Sequence, residues 1–356
     1  MNVLALVAYP LDTAPGQRYR IEQWAPYLAE QGIHVTFMPF ASPELGRTLY
    51  EPGRFAHKAG AMILASIRRY HDLGAARHFD LVWVFREACL VGPAWAEQLA
   101  HFRGSRLIYD FDDAIYLPYV SPSNRYLSYL KFPGKTRSLC RLSKAVFAGN
   151  SGLAAYARRY NPNVHVLPST ISLRSYRTRA ESPRMGPPVV GWTGSHSSAP
   201  YLDLIANALR RLRARRAFRF LAIGLDRLTI PGVEVECRRW TSQAEVRDLW
   251  DMDVGVMPLR DDPWSQGKCG MKLLQYMGVG LPAVASPVGV NREIIRAGEN
   301  GFLPATEDDW VEVLDSLLAD SDLRRRLGAE ARRTVETDYS AEVHVPRLAS
   351  VLRGAA

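Results

Sequence analysis

The sequence predicts an α/β protein with two Rossmann-like domains, and three observations support this fold class. The chain has 356 residues, which is too long for one typical hydrophobic core. Short apolar runs alternate with amphipathic helical stretches in two separate series, as parallel sheets require. Between the two series, the stretch from Pro168 to Pro188 is polar and arginine-rich, which is typical of an interdomain connection.

The first series opens with a βαβ unit. Residues 2–8 predict a buried parallel strand, residues 18–31 predict an amphipathic helix that ends at Gly32, and residues 34–37 predict the next strand. Later strands of the same sheet are predicted at four further apolar runs, which are 81–85, 106–109, 145–148 and 164–167.

The second series starts at Val189. A strand is predicted at 189–192 and a helix at 200–213, and they are followed by strands at 218–223, 233–236 and 254–258. Another helix is predicted to begin near Met271, and a buried strand follows it.

The composition is typical of a globular protein, with 47% hydrophobic and 23% charged residues. No apolar run approaches the ~20 residues that span a bilayer, and the first strand is too short for a signal peptide, so we expect a cytosolic protein. The spacing of the cysteines fits neither a metal site nor a redox motif, and we expect free thiols, no disulfide and no structural zinc. These cysteines are Cys89, Cys140, Cys237 and Cys269.

The net charge of +9 suits an anionic ligand, a nucleic acid or an anionic membrane surface. The arginines between 210 and 216 predict the solvated end of a helix rather than a nucleic-acid patch, and no nucleic-acid-binding module is recognisable. An apolar helix over 59–67 has basic flanks, and a buried helix with a solvated basic rim is favoured over a membrane contact. The basic and aromatic stretch 116–137 leaves sugar stacking and membrane contact open.

The most informative stretch is 267–287, which predicts a glycine-flanked loop, a helix and a buried strand. Backbone N–H groups of such a loop can approach a ligand, and the positive end of the helix attracts an anion. Lys268, Lys272 and Gln275 are four and three residues apart, so we expect one polar stripe that faces the ligand. The backbone of this site would come from Gly267, Cys269, Gly270 and Met271.

This stretch resembles the C-terminal signature of the family 4 glycosyltransferases, which are retaining enzymes of the GT-B fold that use sugar nucleotides. The family pattern is Glu-x7-Glu with an internal glycine, followed by a small-Gly-x-Pro-Val-Val-Ala run. Gly267 and Gln275 stand where the family has its two glutamates, and the Gln275 amide can still bond a ribose hydroxyl. The matching positions are Gly270, Leu273, Leu274, Met277, Gly280, Pro282, Val284 and Ala285, with further matches at 288–302.

The resemblance implies two Rossmann-like domains that face each other across a cleft at the carboxyl ends of both sheets. The implied domains are an acceptor-side domain at 1–170, a connection at 171–188 and a sugar-nucleotide domain at 189–340. A last helix at 341–356 would return to the first domain.

Two segments of the first domain are candidates for the site. In the loop after the first strand, Gly16 and Arg18 can bind an anion, although a plain turn with solvated arginines is the alternative. After the strand that ends at Tyr109, three carboxylates lie within 110–113. Because they repel one another, they need a partner of opposite charge or a functional role. Asp112 and Asp113 are the candidates to orient the acceptor or the sugar, and the alternative is a helix N-cap and a salt bridge to Arg86 or Arg125.

In the second domain, the loop after the first strand carries Thr193, Gly194 and Ser195 where the family often has an arginine and a lysine. Lys268 and Lys272 are therefore expected to supply the positive charge for the diphosphate. Trp240 follows the third strand near the position that the resemblance implies for the base, and the alternative for this side chain is a place in the core.

The resemblance thus implies a retaining hexosyltransferase that moves a sugar from a nucleoside diphosphate sugar to a glycan, lipid-linked or small hydroxyl acceptor. Asp112, Asp113, Lys268 and Lys272 are the expected catalytic residues, with no cofactor, no metal and no nucleic acid. We expect a role in polysaccharide biosynthesis and a location in the cytoplasm, with peripheral contact at the inner membrane face as a further expectation. Two alternatives stay open, which are a GT-B epimerase or phosphorylase and a non-catalytic sugar-binding protein.

Overall fold

The computed structural model of the chain describes residues 1–49, 51, 53–118, 130–179 and 186–356. The chain divides into two compact units, of which one comprises Met1–Ser169 with His344–Ala356 and the other Thr170–Val343. Each unit is built on one six-stranded parallel sheet with helices around it. The predicted α/β class with two Rossmann-like domains is confirmed. Arg125 and half of the aromatic stretch 116–137 lie outside the described residues.

Twelve strands form the two sheets of the described chain. They are β1 (Asn2–Val7), β2 (His34–Pro39), β3 (Leu81–Phe85), β4 (Leu107–Phe111), β5 (Ala145–Ala148), β6 (Val164–Val166), β7 (Val189–Thr193), β8 (Arg219–Ile223), β9 (Val235–Arg238), β10 (Val254–Met257), β11 (Ala283–Ala285) and β12 (Gly301–Phe302).

The α-helices of the described chain are α1 (Pro15–Gln17), α2 (Trp24–Glu30), α3 (Pro43–Thr48), α4 (Phe55–Ala75), α5 (Trp95–Phe102), α6 (Lys135–Leu142), α7 (Ser151–Arg158), α8 (Ala206–Arg215), α9 (Glu245–Leu249), α10 (Pro263–Gln266), α11 (Met271–Gly278), α12 (Asn291–Ile294), α13 (Glu307–Ala319), α14 (Ser321–Asp338) and α15 (Ala341–Ala355). A π-helical turn (Arg18–Glu22) and two 3-10 segments (Ala76–His78 and Ala199–Leu204) complete them.

The first sheet has the strand order β2-β1-β3-β4-β5-β6. The chain adds β2 on one side of β1 and then crosses to the other side of β1 to add β3. The loops that leave β1 and β3 therefore diverge, and a crevice outside the carboxyl ends of these two strands is the usual ligand position in such a sheet.

The second sheet has the order β12-β11-β10-β7-β8-β9, and its reversal lies between β7 and β10. On one face of this sheet, α8 and α13 pack over a core that includes Trp192, Phe220, Val256 and Leu314. Of the predicted connection at 171–188, residues 180–185 lie outside the described residues. Ile171 pairs with Ser340 inside the second unit.

The predicted continuous helix over 18–31 is wrong, because the chain forms a π-helical turn and then α2 there. In the turn, the Gln23 N–H donates to the Arg18 carbonyl five residues earlier, at 2.9 Å. The turn places the Arg20 side chain inside the unit, where it donates to the carbonyl oxygens of Leu167 and Pro168. A buried charge of this kind needs a partner of opposite sign.

Asp110 is that partner. The prediction that Asp110 follows a strand is wrong, because β4 continues to Phe111 and leaves Asp110 0% exposed. Its Oδ1 accepts from Arg20 Nε at 2.7 Å. Burial raises the pKa of Asp110 to about 6, although Arg20 opposes this shift.

The prediction that the apolar helix near 59–67 is buried under a solvated basic rim is also wrong. In α4 the side chains of Ile63, Leu64 and Ile67 are exposed, whereas Lys58 and Arg69 are buried. The two cations turn inward because backbone carbonyls accept their hydrogen bonds.

The Asp110→Ala variant should lose about 3–5 kcal/mol of unfolding free energy, since it leaves the Arg20 charge buried without a counter-charge. Asp110→Asn should lose less, because the amide oxygen can still accept from Arg20. Urea unfolding at pH 7 measures both. Glu330→Ala, which removes an exposed partner of Arg333, is the control and should cost less than about 1 kcal/mol. Equal midpoints for Asp110→Ala and wild type would contradict this assignment.

Candidate functional site

At the carboxyl edge of the first sheet, the loop after β1 is held by the buried Gln17 and the half-buried Glu22. Gln17 Nε2 donates to the Tyr9 carbonyl at 2.9 Å and to Glu22 Oε1 at 2.7 Å, and Gln17 Oε1 accepts from the Tyr9 N–H at 3.0 Å. Glu22 Oε2 in turn accepts from the Asp12 N–H at 2.9 Å. Burial raises the pKa of Glu22. The loop therefore has a fixed shape and positions α1 at the strand end.

An ion pair lies at the same edge, where β3 and β4 end. Arg86 follows β3 with a φ of +57°, and its N–H donates to the Asp110 carbonyl at 2.7 Å. Its Nε donates to Asp112 Oδ1 at 2.6 Å. Burial would lower the pKa of Arg86, but the carboxylates of Asp112 and Asp113 outweigh burial and raise it. A left-handed arginine is a strained conformation of the kind that clusters at functional sites.

Gly16 is in direct contact with this ion pair. A Cβ at Gly16 would lie 3.2 Å from Arg86 Nη2 and 3.7 Å from Asp112 Oδ2, so the α1 backbone packs against both side chains. The structure thus brings together Gly16 and Asp112, two of the predicted site residues. Arg86 was predicted only as the alternative partner of the aspartates, and that salt bridge is present.

The other predicted residues of the first unit lie at the periphery of this cluster. Arg18 Nε contacts Asp12 Oδ1 at 2.7 Å, within the loop after β1. Asp113 Oδ1 accepts from the adjacent Ala114 N–H at 3.1 Å. Arg18 and Asp113 thus have local contacts, whereas Asp112 joins two strand ends.

In the second unit, Tyr276 of α11 connects the ends of β7 and β10. Its hydroxyl accepts from the Thr193 N–H at 2.9 Å and donates to the Val256 carbonyl at 3.2 Å. Burial raises the pKa of this phenol. Thr193 is the last residue of β7 and is buried, so the prediction that it belongs to the loop is wrong.

The loop that leaves β7 continues with Gly194 and Ser195. The Gly194 N–H donates to the Ile223 carbonyl at 3.0 Å, and the Ser195 N–H donates to Ser198 Oγ at 3.1 Å. The Ser195 hydroxyl is exposed and lies 2.9 Å from Ser197 Oγ. Hydroxyl groups rather than cations therefore line this part of the loop.

The residue before α11 is Gly270, a position that requires glycine on two grounds. Its φ is +68°, and a Cβ there would overlap Ile294 Cδ1. No side chain caps the helix, so its first turn presents N–H groups that the helix itself cannot satisfy. The N–H groups of Gly267 and Lys268 donate to Trp264 and Ser265, which corrects the prediction that both face a ligand.

Two lysines flank the start of α11, and each lies over an aromatic ring. Lys272 Nζ is 5.8 Å from the ring centroid of Trp192, and Lys268 Nζ is 5.9 Å from that of Tyr201. Trp192 is the residue before Thr193 in β7, and a Cβ at Gly194 would overlap its ring. Lys272 therefore lies beside the loop after β7, at the reversal of the second sheet.

The remaining residues of the predicted loop lie around this helix start. Cys269 is buried, and its Sγ lies 3.8 Å from the Gly267 carbonyl oxygen. Met271, the first residue of α11, is half-buried. The four cysteines of the chain are free thiols.

Gln275 belongs to a buried hydrogen-bonded chain of side chains. Gln275 Nε2 donates to the Tyr176 hydroxyl at 3.2 Å, which donates to Glu245 Oε1 at 2.5 Å. Glu245 Oε2 accepts from Trp240 Nε1 at 2.7 Å. The predicted polar stripe is therefore wrong, because Lys268 precedes the helix and Gln275 is 5% exposed. The link between Gln275 and Trp240 was not predicted, since it runs through Tyr176, which is 99 residues from Gln275 and 69 residues from Glu245.

No described helix is both long and apolar enough to cross a membrane. Within the same part of the chain, no three His, Cys, Asp or Glu side chains are grouped so that they could hold a metal ion.

A known protein family matches part of the second unit. Residues 187–320 match the family model described as glycosyl transferases group 1. Two Bacillus subtilis proteins match shorter stretches, which are spore coat protein SA, 33% identical over 80 residues, and the putative glycosyltransferase EpsD, 40% identical over 67 residues. These stretches span 22% and 18% of this chain and 21% and 18% of the relatives, so the chain matches about a fifth of the length of each.

Solved structures match the whole chain. Sucrose-phosphate synthase from Thermosynechococcus elongatus has a TM-score of 0.72 at 16% identity and covers 99% of both chains. The fold is GT-B. Anabaena Alr3699/HepE in complex with UDP-glucose is a GT-B neighbour with a TM-score of 0.69 at 15% identity, covering 99% of this chain and 100% of that one. WaaG, a glycosyltransferase involved in lipopolysaccharide biosynthesis, has a TM-score of 0.62 at 15% identity over 99% and 100% of the chains.

The burial of Gln275 in the second unit leads to a prediction about the stability of the protein. Gln275→Glu should destabilise the protein more at pH 8 than at pH 5, because burial and the nearby Glu245 raise the pKa of the new carboxyl above its unfolded value. A raised carboxyl pKa removes stability as the pH rises through the window above about 4.3. The expected pH-dependent loss is about 1–3 kcal/mol in urea unfolding.

Gln98→Glu serves as the matched control, since Gln98 is exposed and the new carboxylate there stays in water. A Gln275→Glu variant that keeps wild-type stability at pH 8 would place this side chain in solvent, contrary to its contacts.

Proposed function

We propose that this protein is a retaining glycosyltransferase that moves a sugar from a nucleoside diphosphate sugar to a hydroxyl acceptor. The observation that carries the proposal is the position of Lys272. It lies beside the uncapped start of α11 and the loop after β7, at the reversal of a sheet within residues that match group 1 glycosyl transferases.

The proposed chemistry needs positive charge at one point. When the glycosidic bond of the donor breaks, negative charge develops on the leaving diphosphate. The first-turn N–H groups of α11 and the ammonium of Lys272 provide fixed positive charge there, and Lys268 adds to it. In the retaining mechanism, the acceptor attacks on the face that the diphosphate leaves, and the diphosphate takes the acceptor proton. No protein nucleophile takes part in this step.

The nucleoside is proposed to contact the side of the second unit where Trp240 lies. Trp240 and Gln275 are held by the same Tyr176 and Glu245 pair, so the base and ribose contacts would be positioned together. The neighbouring structures of Anabaena Alr3699/HepE contain UDP or UDP-glucose. UDP is therefore the first nucleotide to test.

The acceptor is proposed to meet the first unit at the Asp112 and Arg86 pair. Asp112 supplies a carboxylate that can accept from a sugar hydroxyl, and the ion pair with Arg86 at 2.6 Å orients that carboxylate. Gly16 allows close approach of the backbone at the same place. We propose a glycan or lipid-linked acceptor, a role in polysaccharide biosynthesis and a cytoplasmic location.

Lys272→Ala should weaken UDP binding by about 1.5–3 kcal/mol, or roughly 10- to 150-fold in Kd, because it removes a charge-assisted contact to the diphosphate. Isothermal titration with UDP measures the effect. Lys272→Arg, which keeps the charge, should lose less, and Lys144→Ala, at an exposed lysine of the first unit, should bind UDP as wild type does. An unchanged Kd for Lys272→Ala would remove this residue from the donor site.

Turnover of UDP-sugar should continue in excess EDTA, since the proposed charge stabilisation comes from lysine and helix N–H groups. Loss of activity on chelation, with recovery on adding Mn²⁺ or Mg²⁺, would instead make Asp112 and Asp113 candidate metal ligands. UDP-sugar turnover in the absence of an acceptor distinguishes an epimerase from a transferase, because an epimerase needs no acceptor.

A further inference from the structure

The outward face of α4 is apolar along most of its length. We define the α4 face as Phe55, Ile63, Leu64, Ile67 and Tyr70. Ile63 is 62% and Leu64 is 69% exposed, and these five side chains are nearly half of the large exposed apolar side chains in the described chain. Single exposed apolar residues are ordinary on soluble proteins, but a contiguous set of this kind marks an interaction surface.

The inward face of the same helix has the opposite character. Arg69 is fully buried and donates to the carbonyl oxygens of Val7, Met38 and Ala88, at 3.2, 2.9 and 3.0 Å. Lys58 donates to the Glu51 carbonyl. The helix is thus anchored by cations that bond the backbone beneath it, and this anchoring directs its largest apolar side chains outward. An amphipathic surface helix normally has the reverse arrangement.

The α4 face continues on the neighbouring helix α5 and has cations at its edge. The Arg103 guanidinium lies 5.1 Å from the ring centroid of Tyr70, and Phe102 beside it in the chain is 88% exposed. Arg54 is exposed at the beginning of α4, and Arg68, exposed in its second half, donates from Nη2 to the carbonyl oxygens of Pro39 and Phe40. Between residues 53 and 71 the sequence has four Lys or Arg and no Asp or Glu.

We propose that the α4 face docks on an anionic lipid surface, with the apolar side chains among the acyl chains and the arginines at the phosphates. This combination of an apolar face with a basic edge is that of helices that lie in the membrane interface. The carboxylates in contact with α4 cations near its beginning are Glu44, which pairs with His57 at 3.4 Å, and Glu51, which pairs with Arg54 at 3.7 Å.

A second copy of the chain suits this face less well than lipid does. In a two-fold dimer the same patch meets itself, so two cation-edged faces without carboxylates at their centre would be opposed. Anionic lipid instead provides the complementary charge. The inference goes beyond the proposed function, since docking on lipid requires neither nucleotide nor acceptor.

Sedimentation of the full chain with vesicles tests the proposal. Wild type should bind phosphatidylcholine vesicles that contain about 30% phosphatidylglycerol at least about tenfold more tightly than pure phosphatidylcholine, and less tightly when salt rises from about 0.1 to 0.5 M. The Ile63→Ser, Leu64→Ser, Ile67→Ser triple variant should lose about tenfold or more, with UDP binding unchanged.

The matched control is Leu204→Ser with Val343→Ser, which removes exposed apolar side chains from the second unit and should leave vesicle binding unchanged. If the triple variant does not fold, Leu64→Ser and Phe102→Ser test the same face one residue at a time. Vesicle binding that is equal for wild type and the folded variants would overturn the proposal. A wild-type dimer that the variants dissociate, without lipid binding by either, would assign the face to a second copy.

Discussion

The constraint on which both candidate sites depend is the reversal of strand order in each sheet. In the first sheet, β2 lies on one side of β1 and β3 lies on the other. In the second sheet, β8 lies on one side of β7 and β10 lies on the other. Loops from two adjacent parallel strands then point away from each other, which opens a crevice that no strand fills. The residues at these two crevices include Gly16 and Arg86 in the first unit, and Gly194 and Lys272 in the second.

The edges of these crevices are held by side chains that a ligand need not contact. The Tyr276 hydroxyl joins the ends of β7 and β10, so α11 cannot shift without breaking a buried hydrogen bond to Thr193. Gln17 fixes the loop after β1 through its hydrogen bonds to the Tyr9 backbone. Because a 1 Å misplacement of a catalytic group is costly, this rigid support is as necessary to the proposed transfer as the charged groups are.

The sequence predicts the strands well, but it predicts poorly which polar side chains point into the core. Buried parallel strands are recognisable because they are short continuous apolar runs, and the predicted β3 coincides with the observed one. The errors at Asp110, Gln275 and α4 have a common physical cause. Periodicity shows which residues share a face, but the face that turns inward depends on partners distant in sequence. Arg20 is 90 residues from Asp110, Tyr176 is 99 from Gln275, and the carbonyls that hold Arg69 come from three separate segments.

The aspartates of 110–113 show how one short motif divides between structure and proposed function. Asp110 and Asp112 are two residues apart, so the extended chain directs them to the same side. Asp110 lies within β4, where Arg20 and the surrounding core enclose it completely. Asp112 lies one step beyond the end of β4, where the cation that meets it is the strained, partly exposed Arg86 beside Gly16. Two carboxylates on either side of Phe111 therefore differ because the sheet ends between them, and only Asp112 lies outside the core, where the acceptor is proposed to bind.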